Sequence, residues 1–224
     1  MRRLGAAQAA KTIKHTKGTM AKRPIIVAMD LEGVLVPEVW ISVAEKTGIP
    51  ELRLTTRDIS NYDVLMKRRL EILKQNNLKL RDIQEVIDTM DPLPGAVEYM
   101  AWLRERYQAV ILSDTFYEFA SPFMRKLGWP TLYCNSLVTD AENNVIDYKM
   151  RILDGKRHAV LAFKQLNFDV VAMGDSYNDT SMLGEAGVGI LFRPSENVKR
   201  EFPQFPVATE YETVKNIITE FAAK

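Results

Sequence analysis

The stretch Ile25-Ile26-Val27-Ala28-Met29-Asp30-Leu31-Glu32-Gly33-Val34 decides the fold class of this chain. Its first five residues form an unbroken apolar run, which predicts a short strand buried on both faces, as in a parallel sheet. The run stops at an aspartate, and a glycine three residues later marks a turn. The sequence therefore predicts a buried strand whose carboxyl end carries two acidic side chains, Asp30 and Glu32.

Similar apolar runs recur further along the chain, and helical patterns lie between them. The runs span 109–112, 170–173 and 188–192, and the helical patterns lie near 96–106, 116–127, 157–166, 179–186 and 211–222. A small hairpin is expected over 137–149, with its turn at Asn143-Asn144. This alternation of strand and helix predicts an α/β fold with a Rossmann-like parallel sheet.

Residues 37–92 break that alternation. They carry three helical patterns, near 38–47, 62–75 and 81–90, without a convincing strand, and Pro92 and Pro94-Gly95 mark their end. We predict that 37–92 form a helical cap inserted after the first strand. The core domain would then consist of 24–36 and 93–224.

The first 23 residues differ in composition from the rest, with seven Lys or Arg and no Asp or Glu. Because their apolar content is mostly alanine, they cannot bury enough surface to fold alone, and we expect a disordered basic extension. A transit peptide is an alternative, since such peptides are basic and poor in acids. A vector-derived or misassigned start, with Met20 as the true first residue, is another.

The overall composition excludes several classes of function. The formal net charge is +1, which argues against binding nucleic acid through bulk charge. No apolar run approaches the roughly 20 residues that span a bilayer. A single cysteine, Cys134, permits no internal disulfide and fits a reducing, cytoplasmic location. A small anionic substrate stays compatible with near-neutral charge, and the oligomeric state, monomer or homodimer, is left open.

Polar side chains follow three of the four predicted strands. Asp30 and Glu32 follow the first, Ser113-Asp114-Thr115 the second, and Gly174-Asp175 the third, with Asn178-Asp179 shortly after it. Ligands of open α/β sheets bind beyond the carboxyl ends of the strands, where these carboxylates would converge and repel one another. A hard divalent cation with oxygen ligands relieves that repulsion, so the sequence predicts a Mg²⁺ site.

A metal among carboxylates suits phosphoryl transfer. Asp30 can attack phosphorus to give an aspartyl-phosphate, and Glu32 can protonate the leaving oxygen and then activate water. Lys156 is the best candidate to balance charge on the transferring group. Taken singly, the acidic turn, a helix N-cap at Ser113 and a solvated Lys156 are the plainer interpretations. Their order and their common position at strand ends favour catalysis.

At this point the residues resemble a known family. The stretch 30–34, Ser113, Lys156 and the stretch 174–179 look like the four ordered motifs of the haloacid dehalogenase (HAD) superfamily, and the helical insert looks like its type-1 cap. The resemblance runs from about residue 24 to 210. It implies an α/β HAD core, Mg²⁺ dependence and an aspartyl-phosphate on Asp30.

Within that superfamily the chain resembles the phosphoserine phosphatases, and especially the branch with phosphoserine:homoserine phosphotransferase activity. The stretches shared with that branch are 30–38, 44–48, 56–58, 62–67, 111–119 and 200–206. The resemblance implies that Asp30 and Asp175 bind Mg²⁺ through their side chains and Glu32 through its backbone carbonyl. Glu38 would bind the substrate ammonium and Arg69 its carboxylate. The residues implied for the phosphate are Ser113, the Asp114 backbone, Lys156 and Asn178.

Three departures from the wider phosphoserine phosphatase pattern stand out. The acid/base position is Glu32 instead of Asp, Ser113 is followed by Asp114 instead of Gly, and Glu38 lies one residue nearer the nucleophile. The first two agree with the phosphotransferase branch. They leave the partition between water and an alcohol acceptor open.

Arg69 offers a test that does not depend on the resemblance. In the helix predicted near 62–75, Arg69 falls inside the apolar arc, whereas Lys67 and Arg68 fall outside it. A charge in an apolar stripe needs a partner, which is either an internal carboxylate or a bound one. Glu38, after a proline, could instead favour a first helical turn. His158 is expected on a helix surface, and a contribution from Asp179 is left open.

These observations predict an enzyme that acts on a small phosphorylated amino acid. Phosphoserine would donate its phosphoryl group to Asp30, and water or the hydroxyl of homoserine would accept it. A second enzymatic hypothesis keeps the chemistry but changes the substrate to a sugar, nucleotide or cofactor phosphate. A regulatory module without turnover is disfavoured because Asp30, Glu32 and Asp175 are all present.

Overall fold

The first strand forms where the apolar run predicts it, at Ile25–Met29 (β1), in a computed structural model that describes residues 22–55, 58–59 and 61–224. The predicted basic extension at 1–23 lies outside the described residues except for its last two. The other strands are Gln108–Phe116 (β2), Thr131–Thr139 (β3), Val145–Lys149 (β4), Asp169–Gly174 (β5), Val188–Phe192 (β6) and Val207–Ala208 (β7). The helices are Val39–Thr47 (α1), Tyr62–Gln75 (α2), Leu80–Asp88 (α3), Ala96–Arg106 (α4), Tyr117–Lys126 (α5), Gly155–Gln165 (α6), Thr180–Glu185 (α7), Glu196–Glu201 (α8) and Tyr211–Ala223 (α9).

Within the described residues the strands form one sheet in the order β4-β3-β2-β1-β5-β6-β7. All neighbours run parallel except β3 and β4, which form the antiparallel hairpin expected over 137–149. The predicted α/β class with a parallel sheet is therefore confirmed. The chain builds outward from β1 through β2 and β3 on one side, and through β5, β6 and β7 on the other.

Both faces of the sheet are covered, as the unbroken apolar strands predict. In β1, Val27 and Met29 face a cluster shared with α4, α5 and α9. Ile26 and Ala28 face the opposite cluster, formed with α6, α7 and α8. The alternation fixes the register of the strand, because a slip of one residue would exchange its two faces.

The helical insert, residues 37–92, contains α1, a 3-10 turn at Pro50–Arg53, α2 and α3, and no strand among its described residues. Its apolar side chains belong to the same cluster as Val27 and Met29, so the insert and this face of the sheet share one continuous hydrophobic core. Trp40 of α1, for example, contacts Phe119 of α5 edge-to-face with ring centroids 5.5 Å apart. The division into a core and a cap domain stays a prediction.

Several elements differ from the sequence-based expectation. β2 runs on through Ser113 and Asp114 to Phe116 instead of ending at residue 112, with a shift in its pairing to β3 between Leu112 and Phe116. The first half of β3, together with α8 and β7, had no clear periodic signal, because these elements are short or half-exposed. Among the described helices, none is both long enough and apolar enough to cross a membrane.

Candidate active site

The ends of three adjacent strands build the candidate site. β2, β1 and β5 are neighbours, and the chain changes direction across the sheet between β1 and β5, which is where open α/β sheets bind ligands. Asp30 follows β1 and its backbone N–H donates to the Met173 carbonyl of β5 at 3.0 Å. Asp175 follows β5 directly. The strands therefore bring the two carboxylates together, although 145 positions of chain separate them.

A tight cluster of three carboxylates lies at this edge. Single oxygen atoms of Asp30, Asp175 and Asp179 lie within 4.8 Å of one another. Asp30 and Asp179 are buried, with 5% and 0% of their surface exposed, and Asp175 is half-buried. Carboxylates at this separation in a buried site repel one another strongly unless positive charge lies between them.

Lys156, the second residue of α6, supplies one positive charge. Its Nζ lies 2.8 Å from Asp30 Oδ2, 2.7 Å from Asp179 Oδ1 and 4.0 Å from Asp114 Oδ2. Only 4% of the residue is exposed, so Lys156 is not the solvated surface charge that it resembled in isolation. Burial disfavours its charge, but attraction from the three carboxylates outweighs burial and holds the pKa of Lys156 well above its usual value.

Asp179, whose role the sequence left open, acts here as an orienting group. Besides binding Lys156, its Oδ2 accepts hydrogen bonds from the backbone N–H groups of Asp175 and Ser176, at 3.0 and 3.1 Å. A Cβ on Gly174 would lie 2.3 Å from the Asp179 side chain, so the glycine is required for this approach. The carboxylate of Asp179 therefore fixes both the lysine and the turn that carries Asp175.

The charge balance of the cluster fits a divalent cation. Burial raises the pKa of Asp30 well above its usual value, Lys156 opposes that rise, and Asp179 and Asp175 add to it. Burial, with Asp179 and Glu38 nearby, raises the pKa of Asp175 to about 7. Three carboxylates with one lysine thus hold excess negative charge that burial penalises. Oxygen ligands of this kind suit Mg²⁺, so the residues fit the predicted metal.

The loop after β1 lies directly against this cluster. Gly33 has φ of +73°, and a Cβ there would lie 2.6 Å from Asp175 Oδ2, so both backbone conformation and space require glycine. Glu32 turns toward the insert, and its Oε2 accepts the backbone N–H of Val39 at 2.9 Å. This bond satisfies a free N–H at the start of α1 and ties the candidate acid/base to the helical insert.

The residues predicted to hold a phosphate come from β2, α6 and the turn after β5. Ser113 is buried in β2, and its Oγ accepts the N–H of Thr115 at 3.3 Å. The Asp114 side chain accepts the amide of Asn178 at 2.8 Å, so β2 and the turn after β5 are connected. The structure thus brings Ser113, Asp114, Lys156 and Asn178 to one place, while their roles toward phosphate stay predictions.

Sequence reasoning missed Asn135, a buried residue of β3. Its side-chain amide donates to the Asp114 carbonyl at 3.1 Å, and its carbonyl oxygen accepts the N–H of Arg151 at 3.0 Å. Asn135 therefore braces β2 against the loop that leads to Lys156. No motif marks it, because the contact depends on the pairing of β2 with β3, which local periodicity does not reveal.

Arg69 lies on α2, on the side of the insert that faces the sheet. It is buried, with 7% exposed, as its place in the apolar arc predicts. Its guanidinium lies over the Trp40 ring at 4.6 Å, and Nη2 donates to the Leu54 carbonyl at 2.8 Å. Nε is buried without a hydrogen-bond partner among the residues that the structure describes. Of the ion pairs among the described residues none includes Arg69, so no direct carboxylate contact satisfies its charge there.

Burial lowers the pKa of Arg69 to about 10, and the neighbouring Tyr62, Glu32 and Glu38 oppose that shift. Glu38 is exposed at the residue before α1, where its side chain makes no cap hydrogen bond. The Glu38 carboxylate acts electrostatically on both Arg69 and Asp175. The roles of Arg69 and Glu38 toward a substrate stay predictions.

Two other residues with reactive side chains, His158 and Cys134, are not part of the carboxylate cluster. His158 is exposed on α6, as predicted. Cys134 is buried in β3, where burial raises the pKa of its thiol to about 12. A thiol that stays protonated is a poor nucleophile, which agrees with a structural role.

Comparisons with known proteins identify the family of this chain. The sequence model of the family described as haloacid dehalogenase-like hydrolase matches residues 26–187. A phosphoserine phosphatase of Pseudomonas syringae pv. tomato is 62% identical over 190 residues, covering 85% of this chain and 80% of that protein. Phosphoserine phosphatase ThrH of Pseudomonas aeruginosa is also 62% identical over 190 residues, covering 85% of this chain and 93% of its own.

The fold is shared with solved structures at lower identity. A structure described as a phospho-aspartyl intermediate analogue of phosphoserine phosphatase superposes with a TM-score of 0.69 at 22% identity, covering 83% of this chain and 93% of that one. A substrate-bound phosphoserine phosphatase complex has a TM-score of 0.69 at 20% identity, with coverage of 89% and 99%. This chain therefore belongs to the haloacid dehalogenase-like hydrolases and, within them, to the same family as the two Pseudomonas phosphoserine phosphatases.

Proposed function

We propose that this protein is a Mg²⁺-dependent phosphoserine phosphatase that works through an aspartyl-phosphate on Asp30. The observations that carry the proposal are the contact of Asp30 with Lys156 beside Asp175 and the buried guanidinium of Arg69, whose Nε has no hydrogen-bond partner among the described residues. Two relatives 62% identical to this chain carry the name phosphoserine phosphatase, which supports the substrate.

The reaction takes place in two steps. In the first, an Asp30 oxygen forms a bond to phosphorus, the phosphorus–oxygen bond of the serine side chain breaks, and the leaving oxygen takes a proton from Glu32. In the second, Glu32 removes a proton from water, whose oxygen attacks phosphorus and releases Asp30 and inorganic phosphate. Glu32 thus ends the cycle protonated, as it began.

Residues at the strand ends stabilise the transferring group. Lys156 already touches Asp30 at 2.8 Å, so its charge lies where negative charge develops on the phosphoryl oxygens. Asp30 and Asp175 would hold Mg²⁺ with their side chains, together with the Glu32 backbone carbonyl. When bound, the metal offsets the repulsion between the Asp30 carboxylate and the incoming phosphate.

The insert recognises the amino-acid end of the substrate. A bound carboxylate would give Arg69 the partner that its Nε lacks in the described residues, in a bidentate pair strengthened by burial. Glu38, exposed at the start of α1, would bind the ammonium group. A phosphate ester without an amino-acid part would use the strand ends alone.

A panel of phosphorylated metabolites tests the substrate. We expect kcat/KM for phosphoserine to exceed that for sugar, nucleotide and cofactor phosphates by at least about 100-fold, because only phosphoserine fills the Arg69 site. Comparable or better turnover of another phosphate would overturn the assignment and favour the alternative substrate class.

We also propose that homoserine can accept the phosphoryl group in place of water. The support is the resemblance of Glu32 and Asp114 to the phosphotransferase branch and the 62% identity to ThrH. Incubation with phosphoserine and Mg²⁺, with and without homoserine, should yield phosphohomoserine only in the presence of homoserine. If inorganic phosphate accounts for all of the lost phosphoserine in both reactions, the transferase part is wrong.

A further inference from the structure

One helix of the insert reaches both ends of the proposed substrate. Tyr62 is the first residue of α2 and Arg69 lies seven residues later, so two helical turns put both on the same side of the helix. At about 1.5 Å per residue they are roughly 10 Å apart along the axis. Arg69 belongs to the proposed carboxylate site, whereas Tyr62 faces the strand that carries Ser113 and Asp114.

The Tyr62 hydroxyl contacts that strand directly. Its Oη donates to the backbone carbonyl of Asp114 at 3.2 Å. The same carbonyl accepts the Asn135 amide at 3.1 Å, so one donor comes from the sheet and the other from the insert. At 3.2 Å the bond from Tyr62 is long for a hydroxyl donor, so it can still shorten.

Asp114 in turn connects to the phosphate-binding side chains. Its carboxylate accepts the Asn178 amide at 2.8 Å and lies 4.0 Å from Lys156 Nζ. Tyr62 of α2 is therefore connected to Asn178 and Lys156 through a single residue, Asp114. The path depends on the carboxylate of Asp114, because the glycine that follows this serine in the wider phosphoserine phosphatase pattern has no side chain to make these contacts.

The surroundings of Tyr62 favour its role as a donor. Burial, followed by the charge of Asp114, raises the pKa of Tyr62, so its hydroxyl keeps its proton at physiological pH. Its ring packs edge-to-face on Tyr148 of the β4 hairpin, with centroids 5.9 Å apart. The ring contact holds α2 against the sheet and so places the Tyr62 hydroxyl within hydrogen-bond distance of the Asp114 carbonyl.

We propose that Tyr62 is a positioning residue, which transmits occupation of the Arg69 site to Asn178 and Lys156 through its hydrogen bond to the Asp114 carbonyl. This inference rests on the proposed phosphoserine phosphatase function. A carboxylate bound by Arg69 draws α2 toward the strand ends, the Tyr62 bond tightens, and Asp114 sets the side chains that stabilise the transferring phosphoryl group.

Tyr62→Phe keeps the ring and removes only the hydroxyl. We expect kcat for phosphoserine to fall about tenfold while KM changes less than about threefold, because the lost bond acts mainly when charge develops in the transition state. Turnover of p-nitrophenyl phosphate should stay within about twofold of the wild type, since that substrate cannot engage Arg69.

Tyr148→Phe is the matched control. It removes the hydroxyl of the ring partner, which donates to the exposed Asp63 at 2.7 Å, while Lys67 still pairs with Asp63 at 2.6 Å. Because these contacts are exposed to water, both substrates should be turned over within about twofold of the wild type. A double variant completes the design: added to Arg69→Ala, Tyr62→Phe should cause no further loss on phosphoserine.

Three results would overturn the inference while leaving phosphoserine turnover by the wild type intact. These are wild-type kinetics for Tyr62→Phe, an equal loss on both substrates, and independent additive losses with Arg69→Ala. An equal loss on both substrates would mark Tyr62 as structural. An unchanged melting temperature of Tyr62→Phe would exclude partial unfolding as the cause of any loss of activity. Failure of the wild type to hydrolyse phosphoserine would instead refute the proposed function.

Discussion

The two ends of the candidate site differ in how their charges are satisfied. At the strand ends, the Lys156 ammonium pairs with the carboxylates of Asp30 and Asp179 at 2.7 to 2.8 Å. At the insert, Arg69 is just as buried, yet its Nε has no hydrogen-bond partner among the described residues. Burial of a charged group without hydrogen-bond partners costs free energy, so the unpaired Nε–H of Arg69 is the donor that we expect a bound ligand to satisfy.

This difference suggests a division of roles, in which the strand ends carry out phosphoryl transfer and the insert selects the substrate. The strand-end residues are held by a sheet whose register is fixed on both faces, and under the proposed function they would act on any phosphate monoester. Arg69 lies on a helix of the insert and would bind only substrates that carry a carboxylate. Changes at the strand ends should therefore damage turnover of every substrate, whereas changes at Arg69 should damage only substrates with a carboxylate.

The largest expected effect follows Asp30→Asn. This change removes the nucleophile and keeps the shape, so turnover of both phosphoserine and p-nitrophenyl phosphate should fall by about 1,000-fold or more. The melting temperature of the metal-free variant should equal or exceed that of the wild type, because one of three crowded carboxylates loses its charge. Near-normal turnover of either substrate would contradict the role of Asp30.

Lys156→Met comes next. Loss of the ammonium group should lower kcat about 100- to 1,000-fold on both substrates, since it stabilises charge on the phosphoryl oxygens. It also leaves Asp179 buried without its cation, which should destabilise the fold by about 3 kcal/mol in denaturant titration. A variant that loses stability but keeps its activity would limit Lys156 to a structural role.

Arg69→Ala tests the other end of the site. We expect kcat/KM for phosphoserine to fall about 10- to 100-fold, while p-nitrophenyl phosphate stays within about threefold of the wild type. Arg68→Ala is a matched control, because Arg68 is the adjacent residue of α2 and its side chain is exposed. Equal losses on the two substrates, or equal losses in the two variants, would remove the distinction between the ends.

The smallest expected effect is the change with pH in the free energy of unfolding of the metal-free protein. The folded-state pKa of Asp175 is about 7, above the ordinary 3.8, so the unfolded chain releases this proton first as pH rises. Stability from this group is therefore greatest near pH 4 and declines until about pH 7. Asp30, with its raised pKa, acts in the same direction.

Thermal melts in a chelating buffer check this dependence. The melting temperature of the wild type minus that of Asp175→Asn should decrease by several degrees as the pH rises from 4.5 to 7.5. Added Mg²⁺ should raise the melting temperature of the wild type more at pH 7.5 than at 4.5, because its ligands must be deprotonated. A difference that is independent of pH would contradict the crowding of carboxylates at the strand ends.

The sequence predicted those features that depend on local pattern. β1 occupies the predicted residues 25–29, and α2 occupies 62–75 with Arg69 on its buried side. The convergence of Asp30 and Asp175 followed from the rule for parallel strands. Each of these predictions needed only periodicity, strand order and the direction of the chain.

Other features depend on tertiary contacts that no local pattern reveals. Asp179 binds Lys156 across 23 positions of chain, and Asn135 binds Asp114 across 21. The bond from Val39 to Glu32 depends on how α1 approaches the loop after β1. Such contacts form only when packing brings polar groups together, so the sequence could name the central acids but left the role of Asp179 open and missed Asn135.

The most direct test of the central claim is to trap the covalent intermediate. The enzyme is mixed with radiolabelled phosphoserine and Mg²⁺, quenched in acid within milliseconds, and digested for mass spectrometry. The account predicts a phosphoryl group on the peptide that contains Asp30, formed faster than steady-state turnover and absent in Asp30→Asn. Turnover of phosphoserine without label on that peptide, or with label on another residue, would contradict it.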